Sequence, residues 1–463
     1  MRFGLDDTVI EKLTKVFEAN PKVDKAYIFG SRAKGNYRPD SDIDIAIKGY
    51  QITLDDILKL SVAFEDAGVM QKIDLLDYCE IKEPALVEHI DRVGIEFYSR
   101  WKMYKLGDLC TDINYGYTAS ANENPVGPKF LRITDIVPQR VNWESVPFCE
   151  ISKSDFIKNK LEKGDIVIAR TGATTGYNYM FNDNVEAVFA SYLIRYRINQ
   201  QIALPEFINY SLKSEFWKGF VEGIMSGSAQ PGANAKMFAE FELKLPPLFE
   251  QCIISQIPRS LDDKIDLLHR QNKTLEQLAE TLFRQWFVEE SVKNGKLGAV
   301  LDLVYGKTLK EETRSGNGYP VIGSSGVVGF HSEYFVEAPG IVIGRKGTLG
   351  KVNYQFENFY PIDTTYFVKS KIGSVGLFYE YFLLKTLNLE EMNSDSAVPG
   401  LNRDIALSSE INIAPIEKIK EFNRLCAMYF LKIKSNQTQI QSLTKMRDTL
   451  LPKLMSGEVK VAI

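Results

Sequence analysis

At 463 residues, 44% hydrophobic and 25% charged, the chain is long enough for about three cores of ordinary size and too apolar to be disordered. Its net charge of −4 divides into −5 over residues 1–100 (14 basic, 19 acidic) and +1 over the rest (42 basic, 41 acidic), so neither part has the basic excess of a stand-alone nucleic-acid binder. The five cysteines, Cys79, Cys110, Cys149, Cys252 and Cys426, are scattered without a CxxC pair, which argues against a disulfide framework and a zinc site and fits a reducing compartment.

The chain opens on MRFGLDDTVI, which carries two acids and no long apolar run. It is not a secretory signal, and no later stretch approaches the roughly 18 apolar residues of a membrane span, so a cytoplasmic location with no membrane partner is expected. Next comes IFGSRAKGNYRPDSDIDIAI, Ile28 to Ile47, then KIDLLDY from Lys72 and GIEFYS from Gly94 to Ser99. These motifs resemble the minimal nucleotidyltransferases of the polymerase-β-like superfamily. A strand over Lys25 to Phe29 delivers Gly30 and Ser31 to a helix start, where free amide N–H groups can hold a nucleoside triphosphate. Asp42 and Asp44 alternate on the next strand, and period-2 geometry points both carboxylates to one face. Asp74 on a third strand completes a trio. Such charges repel unless a cation neutralises them, which is the reason to infer Mg²⁺. The resemblance implies ATP as the nucleotide and Asp74 as general base, with metal holding the triphosphate and polarising its α-phosphoryl. Lys34 and Arg38 are read either as phosphate contacts or as solvated loop charges. A domain that has lost its chemistry and only docks a partner is the alternative.

Beyond residue 100 the chain repeats itself. GDIVIARTG, Gly164 to Gly172, matches PGIVIGRKG, Pro339 to Gly347, at an offset of 175. SGSAQPGANAKMF from Ser226 matches SDSAVPGLNRDIA from Ser394, LKLPP ending at Pro247 matches INIAP ending at Pro415, and TLF at Thr281 matches TLL at Thr449, all at an offset of 168. The second copy has therefore lost about seven residues between its first two anchors. Each copy begins with short β-branched and aromatic runs broken by glycine turns, including Ile166 to Ala169, Ala190 to Tyr196, Gly340 to Ile343 and Thr364 to Val368.

Each copy then closes on a long helix, entered after Pro247 or Pro415. Leu261, Ile265, Leu268, Asn272, Leu275, Ala279, Leu282 and Trp286 step by 4-3-4-3-4-3-4, a heptad seam. The second helix repeats the rhythm from Phe422 through Cys426, Tyr429, Ile433, Asn436, Ile440, Leu443, Arg447, Leu450 and Leu454. A narrow seam wants another helix, so the two are paired as an antiparallel coiled coil, with Asn272 and Asn436 fixing register. Two helices packing separately on their own domains is the other reading. Pro258 is expected to delay the onset of the first helix.

From Trp101 to Gly457 this plan resembles the type I restriction-modification specificity subunit: two tandem target-recognition domains, each followed by a long helix. GDIVIARTGATTG, LPPLFEQ, YPVIGSSGVVGFHSEYFVEAPGIVIGRKGTLG, YPIDTTYFV and TLLPKLMSGEV carry the resemblance. The expected fold is multidomain α+β. It comprises a small α/β nucleotidyltransferase domain (1–100), two mixed α/β target-recognition domains (101–248 and 295–414), and two long antiparallel coiled-coil helices (249–294 and 415–463). From Leu261 to Trp286 is 26 residues, about 39 Å of helix against about 34 Å for one turn of B-DNA. A rod of that length suits an asymmetric bipartite site in double-stranded DNA, two short blocks flanking an unread spacer.

Base reading calls for Arg, Lys, Asn or Gln side chains that reach the major groove, and glycine-bordered loops let the backbone approach phosphates; the candidates are Arg170, Thr171 and Asn178 in the first copy and Arg345, Lys346 and Thr348 in the second. Their alternative is scaffold: glycines turning a hairpin and the Arg paired with an acid. The loops Tyr115 to Lys129 and Lys310 to Asn317 are the expected place of further base readers. Chemistry is absent from this region. GRKGTLGK from Gly344 is not a phosphate loop, no methyltransferase motif occurs, and His89, His269 and His331 are too dispersed for a triad. The resemblance implies that two methyltransferase subunits and the restriction subunits are partners, with no cofactor in the repeat region. Two functions stay open: a DNA-specificity subunit with an accessory nucleotidyltransferase, or a protein-modifying nucleotidyltransferase targeted by a DNA-binding repeat.

Overall fold

The computed structural model describes residues 2–138, 140–226, 232–289, 292–373, 375–392, 400–459 and 461. Residues 227–231 and 393–399, which include the anchor prolines Pro231 and Pro399, lie outside them. The chain folds as two compact units, Met1–Ser260 with Met446–Ile463, and Leu261–Lys445. Among the described residues no helix is long and apolar enough to cross a membrane.

The first unit begins with α1 (Asp7–Glu18), β1 (Val23–Ile28), α2 (Gly30–Lys34), β2 (Ile43–Gly49), α3 (Leu54–Asp66), β3 (Ile73–Asp77), α4 (Pro84–Val93) and β4 (Ile95–Ser99). The strands form one sheet in the order β3-β2-β1-β4, with β2 and β3 parallel and the other pairs antiparallel. Alternation on β2 sorts its side chains. Ile43, Ile45 and Ile47 join Leu13, Phe17 and Phe64 in one core, while Ala46 packs with Phe29 and Ile90 on the other face. Asp42 and Asp44 fall on the Ala46 side.

The duplication in the sequence is a duplication of topology. In the first unit Cys110–Tyr115, Leu193–Ile198, Ile166–Ala169 and Asn178–Met180 form a four-stranded sheet in that spatial order. In the second unit Leu301–Tyr305, Thr365–Ser370, Gly340–Gly344 and Val352–Gln355 do the same. Both central strands are completely buried, which is why GDIVIARTG and PGIVIGRKG survive as recognisable apolar runs. The expected strand at Ala190 to Tyr196 starts three residues later, at Leu193, because Ala190 and Ser191 are bonded to Leu131 and Tyr117 instead.

The long helices run Leu248–Phe287 and Ile416–Ser456. Pro258 does not delay the first; it lies inside it, and Pro452 lies inside the second. Proline removes one ladder N–H, but Ile254 and Ile257 pack with Leu450, Leu451 and Leu454 in the core of the first unit, and that burial holds the turn helical. In the second unit the rings of Trp286 and Phe287 meet Phe422 at 6.2 and 5.3 Å, while Asn272 meets Asn436. Rising numbers on one helix face falling numbers on the other, so the pairing is antiparallel. No residue of either predicted stripe is exposed.

Asn436 is fully buried, and its Nδ2 donates to Asn272 Oδ1 (2.8 Å) and Gln271 Oε1 (2.9 Å), leaving its own Oδ1 without a partner. An unsatisfied buried acceptor destabilises, whereas a polar seam residue fixes alignment. Asn436→Leu is therefore expected to raise the melting temperature by a few degrees, given ~1–2 kcal/mol and about 2–4 °C per kcal/mol for a domain of this size. A fall in thermal melting would show that the amide contributes stability, not alignment.

Candidate functional site

The N-terminal site is assembled where β1 ends and β2 begins. Gly30 opens α2 with φ +68°, and a Cβ there would lie 2.0 Å from Asp44 Oδ2. Only glycine permits this close approach of carboxylate to backbone. Helix α2 has five residues and no side-chain cap, so its dipole is small and the amides of Gly30 and Ser31 count as individual donors.

Asp44 and Asp74 are direct neighbours in the parallel β2/β3 ladder. Lys72 Nζ bridges Asp42 and Asp74, 3.1 Å from Asp42 Oδ2 and 3.1 Å from Asp74 Oδ1. The Asp44 carboxyl is pushed above its ordinary range, first by burial and then by the charges of Asp74 and Asp42. Five sequence-predicted residues, Gly30, Ser31, Asp42, Asp44 and Asp74, are thus gathered in one place. Among the described residues no group of three such side chains stands close enough to hold a metal as it is. The donor set nevertheless suits a hard cation: three carboxylates with an ammonium already between two of them.

Two residues that sequence reasoning passed over complete the site. One is Lys72. The other is Arg32, only 2% exposed, whose guanidinium donates to Ser41 O (2.6 Å), Asp42 O (3.1 Å) and Phe3 O (3.2 Å). Arg32 thereby ties down the loop that carries Asp42. Its place directly after the Gly-Ser pair did not mark it out; Lys34, Arg38 and Asp40 of the same motif are exposed, and Asp42 and Asp44 are half-buried.

In the repeats, Arg170 and Arg345 directly follow the two equivalent central strands. Arg170 lies over the Tyr115 ring at 5.2 Å and Arg345 over the Tyr305 ring at 5.1 Å. Arg170 Nε donates to Ser191 O (3.0 Å). Neither guanidinium has a carboxylate partner among the described residues, so the expected scaffold alternative of an Arg-acid pair does not hold. Thr171 is half-buried and bridges Gly232; Lys346 is exposed and bridges Gly400; Thr348 is exposed on the turn that follows. Asn178 differs. It is 7% exposed, its Nδ2 donates to Leu212 O (2.6 Å), and it lies opposite Ile168, a place that Val352, opposite Ile343, takes in the second sheet. A side chain so placed belongs to the scaffold and cannot reach a base. The loops from Tyr115 and Lys310 are mostly exposed.

Comparison with known proteins agrees with this architecture. The model of the type I restriction modification DNA specificity domain matches residues 98–277 and 289–445, most of the chain. The chain belongs to the type I restriction-modification specificity family. A polymerase beta nucleotidyltransferase model matches residues 11–102, so a nucleotidyltransferase domain is fused at the N-terminal side of this specificity region. The chain is similar to the type I restriction enzyme HindI specificity subunit of Haemophilus influenzae, 31% identical over 213 residues, 44% of each chain. It is also similar to the MjaIX specificity subunit of Methanocaldococcus jannaschii, 26% identical over 304 residues, 56% of this chain and 70% of that one. It therefore spans less than half the length of the first relative. A crystal structure of the S subunit of a type I restriction-modification system from M. genitalium covers 78% of this chain and 97% of its own, at 19% identity and a TM-score of 0.49.

Proposed function

We propose that this chain is the DNA-sequence-specificity subunit of a type I restriction-modification complex, with an accessory Mg²⁺-dependent nucleotidyltransferase. The observation that carries the reading is the doubled sheet topology, each copy presenting, at the same position, an arginine without a carboxylate partner among the described residues. In this reading the divisions are 1–100, 101–248, 249–294, 295–414 and 415–463. Each recognition domain contacts one short block of a bipartite, asymmetric duplex site, and the paired helices fix the spacing of the blocks. Arg170, Thr171, Arg345, Lys346 and Thr348 face DNA, with base readers in the loops from Tyr115 and Lys310. The partners are double-stranded DNA, two methyltransferase subunits docked on the long helices, and restriction subunits. Co-expression with modification subunits is expected to leave modified adenines at a split motif, read by sequencing genomic DNA; a continuous motif, or none, would count against the proposal.

For the N-terminal domain, Asp42, Asp44 and Asp74 would hold Mg²⁺, which when bound keeps the triphosphate of ATP in place and polarises its α-phosphoryl. The amides of Gly30 and Ser31 take phosphate oxygens. Asp74 would accept the proton of the attacking hydroxyl as its oxygen bonds to the α-phosphorus, the α–β anhydride bond breaks and pyrophosphate leaves. Lys72, which pairs with Asp42 and Asp74, would share these carboxylates with the cation. A protein-modifying enzyme targeted by the repeats is the second reading, and the gathered carboxylate trio favours it over a domain without chemistry.

A further inference from the structure

The same small assembly is built twice, once in each unit. In the first, the edge strand Cys110–Tyr115 ends on a tyrosine that is 44% exposed, and Arg170 lies over its ring. Arg170 N donates to Tyr192 O (3.1 Å), and Arg170 O accepts from Ala233 N (2.9 Å), just after Gly232. In the second, Leu301–Tyr305 ends on a tyrosine that is 51% exposed, with Arg345 over the ring. Arg345 N donates to Thr364 O (2.9 Å), and Arg345 O accepts from Leu401 N (3.0 Å), just after Gly400.

The tyrosine and arginine are 55 residues apart in the first copy and 40 in the second, so the intervening loops have changed while the ring–guanidinium contact and the backbone bonds have not; at Nε the copies differ, Arg170 donating to Ser191 O and Arg345, which also lies over Tyr366, having no partner among the described residues. Neighbouring positions have diverged: Thr171 answers to Lys346, and Tyr192 to Thr364. By contrast with this pair, Arg132, Arg195, Arg197 and Arg403 each have a carboxylate within 3.0 Å. A guanidinium without a countercharge, oriented by an aromatic face and by backbone on both sides, is a preorganised donor fork for an anion.

We infer that Arg170 and Arg345, braced on Tyr115 and Tyr305, are twin phosphate anchors that set each recognition domain on the DNA backbone and read no base. This rests on the DNA-specificity reading above. Arginine in the major groove selects guanine, so one shared base-reading arginine would write the same letter at the same place in both blocks. Backbone contacts position a protein without carrying sequence, and they are what two differently specific domains can share. Sequence choice then falls to the positions and loops that differ between copies.

The test is retention of a randomised duplex library by the full chain, alone and with co-expressed modification subunits, between 50 and 200 mM salt. Arg170→Ala and Arg345→Ala are each expected to lower affinity for all sequences alike, about eightfold at 0.1 M salt, and to flatten the log–log salt slope by about 0.9. The enriched motif stays the same. Arg170→Lys and Arg345→Lys keep the charge and recover the slope. A motif that loses or changes a base in the Ala variants, or a slope that does not move, overturns the inference. A slope lost equally in the Lys variants, with a lowered melting temperature, makes the arginines scaffold and overturns it as well. If the unsubstituted chain enriches no sequence in either form, the DNA-specificity reading itself fails.

Discussion

Asp42→Ala in the full chain is expected to lower Mg²⁺-dependent transfer of label from ATP to protein by at least roughly a hundredfold, the scale of several kcal/mol of charge stabilisation at a metal. Asp44 gives the companion result. Its carboxyl is raised above the ordinary range, first by burial and then by Asp74 and Asp42, so ionising it opposes folding. The fold gains stability as pH falls through that raised value and is under most strain above it. Asp44→Asn should accordingly raise the melting temperature of the metal-free protein at neutral pH while abolishing labelling. Mn²⁺ affinity, measured by calorimetry, should weaken as pH drops through the same range, because a protonated carboxyl is a poor ligand. Unchanged labelling by Asp42→Ala would remove the proposed metal site; unchanged Mn²⁺ affinity across pH would remove Asp44 from it.

Lys72 sharpens that expectation. Its ammonium already neutralises part of the charge on Asp42 and Asp74, so part of their repulsion is relieved before any metal arrives. Sequence reading found the acids because period 2 along IDIAI is a strong signal, and missed the lysine because its position two residues before Asp74 has meaning only once β2 and β3 lie parallel. Arg32 escaped for a related reason: nothing local tells a buried arginine bonded to loop carbonyls from a solvated one.

The repeats show the same division between local and long-range information. Heptad rhythm and proline entry were enough to expect two long antiparallel helices, and the central strands stood out as apolar runs. Asn178 was misjudged because a polar residue beside glycines looks like a contact residue, whereas its amide is spent on Leu212 O across 34 residues. Tyr115 and Tyr305 were not singled out as partners of Arg170 and Arg345, since separations of 55 and 40 residues hide a shared ring-guanidinium contact from any local pattern. Pro258 was read by its own propensity, which the packing of Ile254 and Ile257 overrides.

The TLF and TLL triplets lead to the second large effect. Phe283 is fully buried in the second unit, its ring 5.1 Å from Phe287, 5.7 Å from Tyr379, 6.0 Å from Phe382 and 5.6 Å from Phe422. Leu451, its counterpart in the repeat, is buried in the first unit among residues such as Ile254 and Leu454. Each helix end therefore plugs one core. Truncation leaves a cavity, and Phe283→Ala should cost about 3–5 kcal/mol and Leu451→Ala about 2–5 kcal/mol. At roughly 2–4 °C per kcal/mol, Phe283→Ala is expected to lower the melting of the second unit by ~6–20 °C and to leave the first nearly unchanged. Leu451→Ala should do the reverse. Hydrogen exchange resolved by peptide separates the two units in one experiment. If either substitution loosened both units equally, the helix ends would not be acting as separate core plugs, and the repeat would lose its structural meaning at this position.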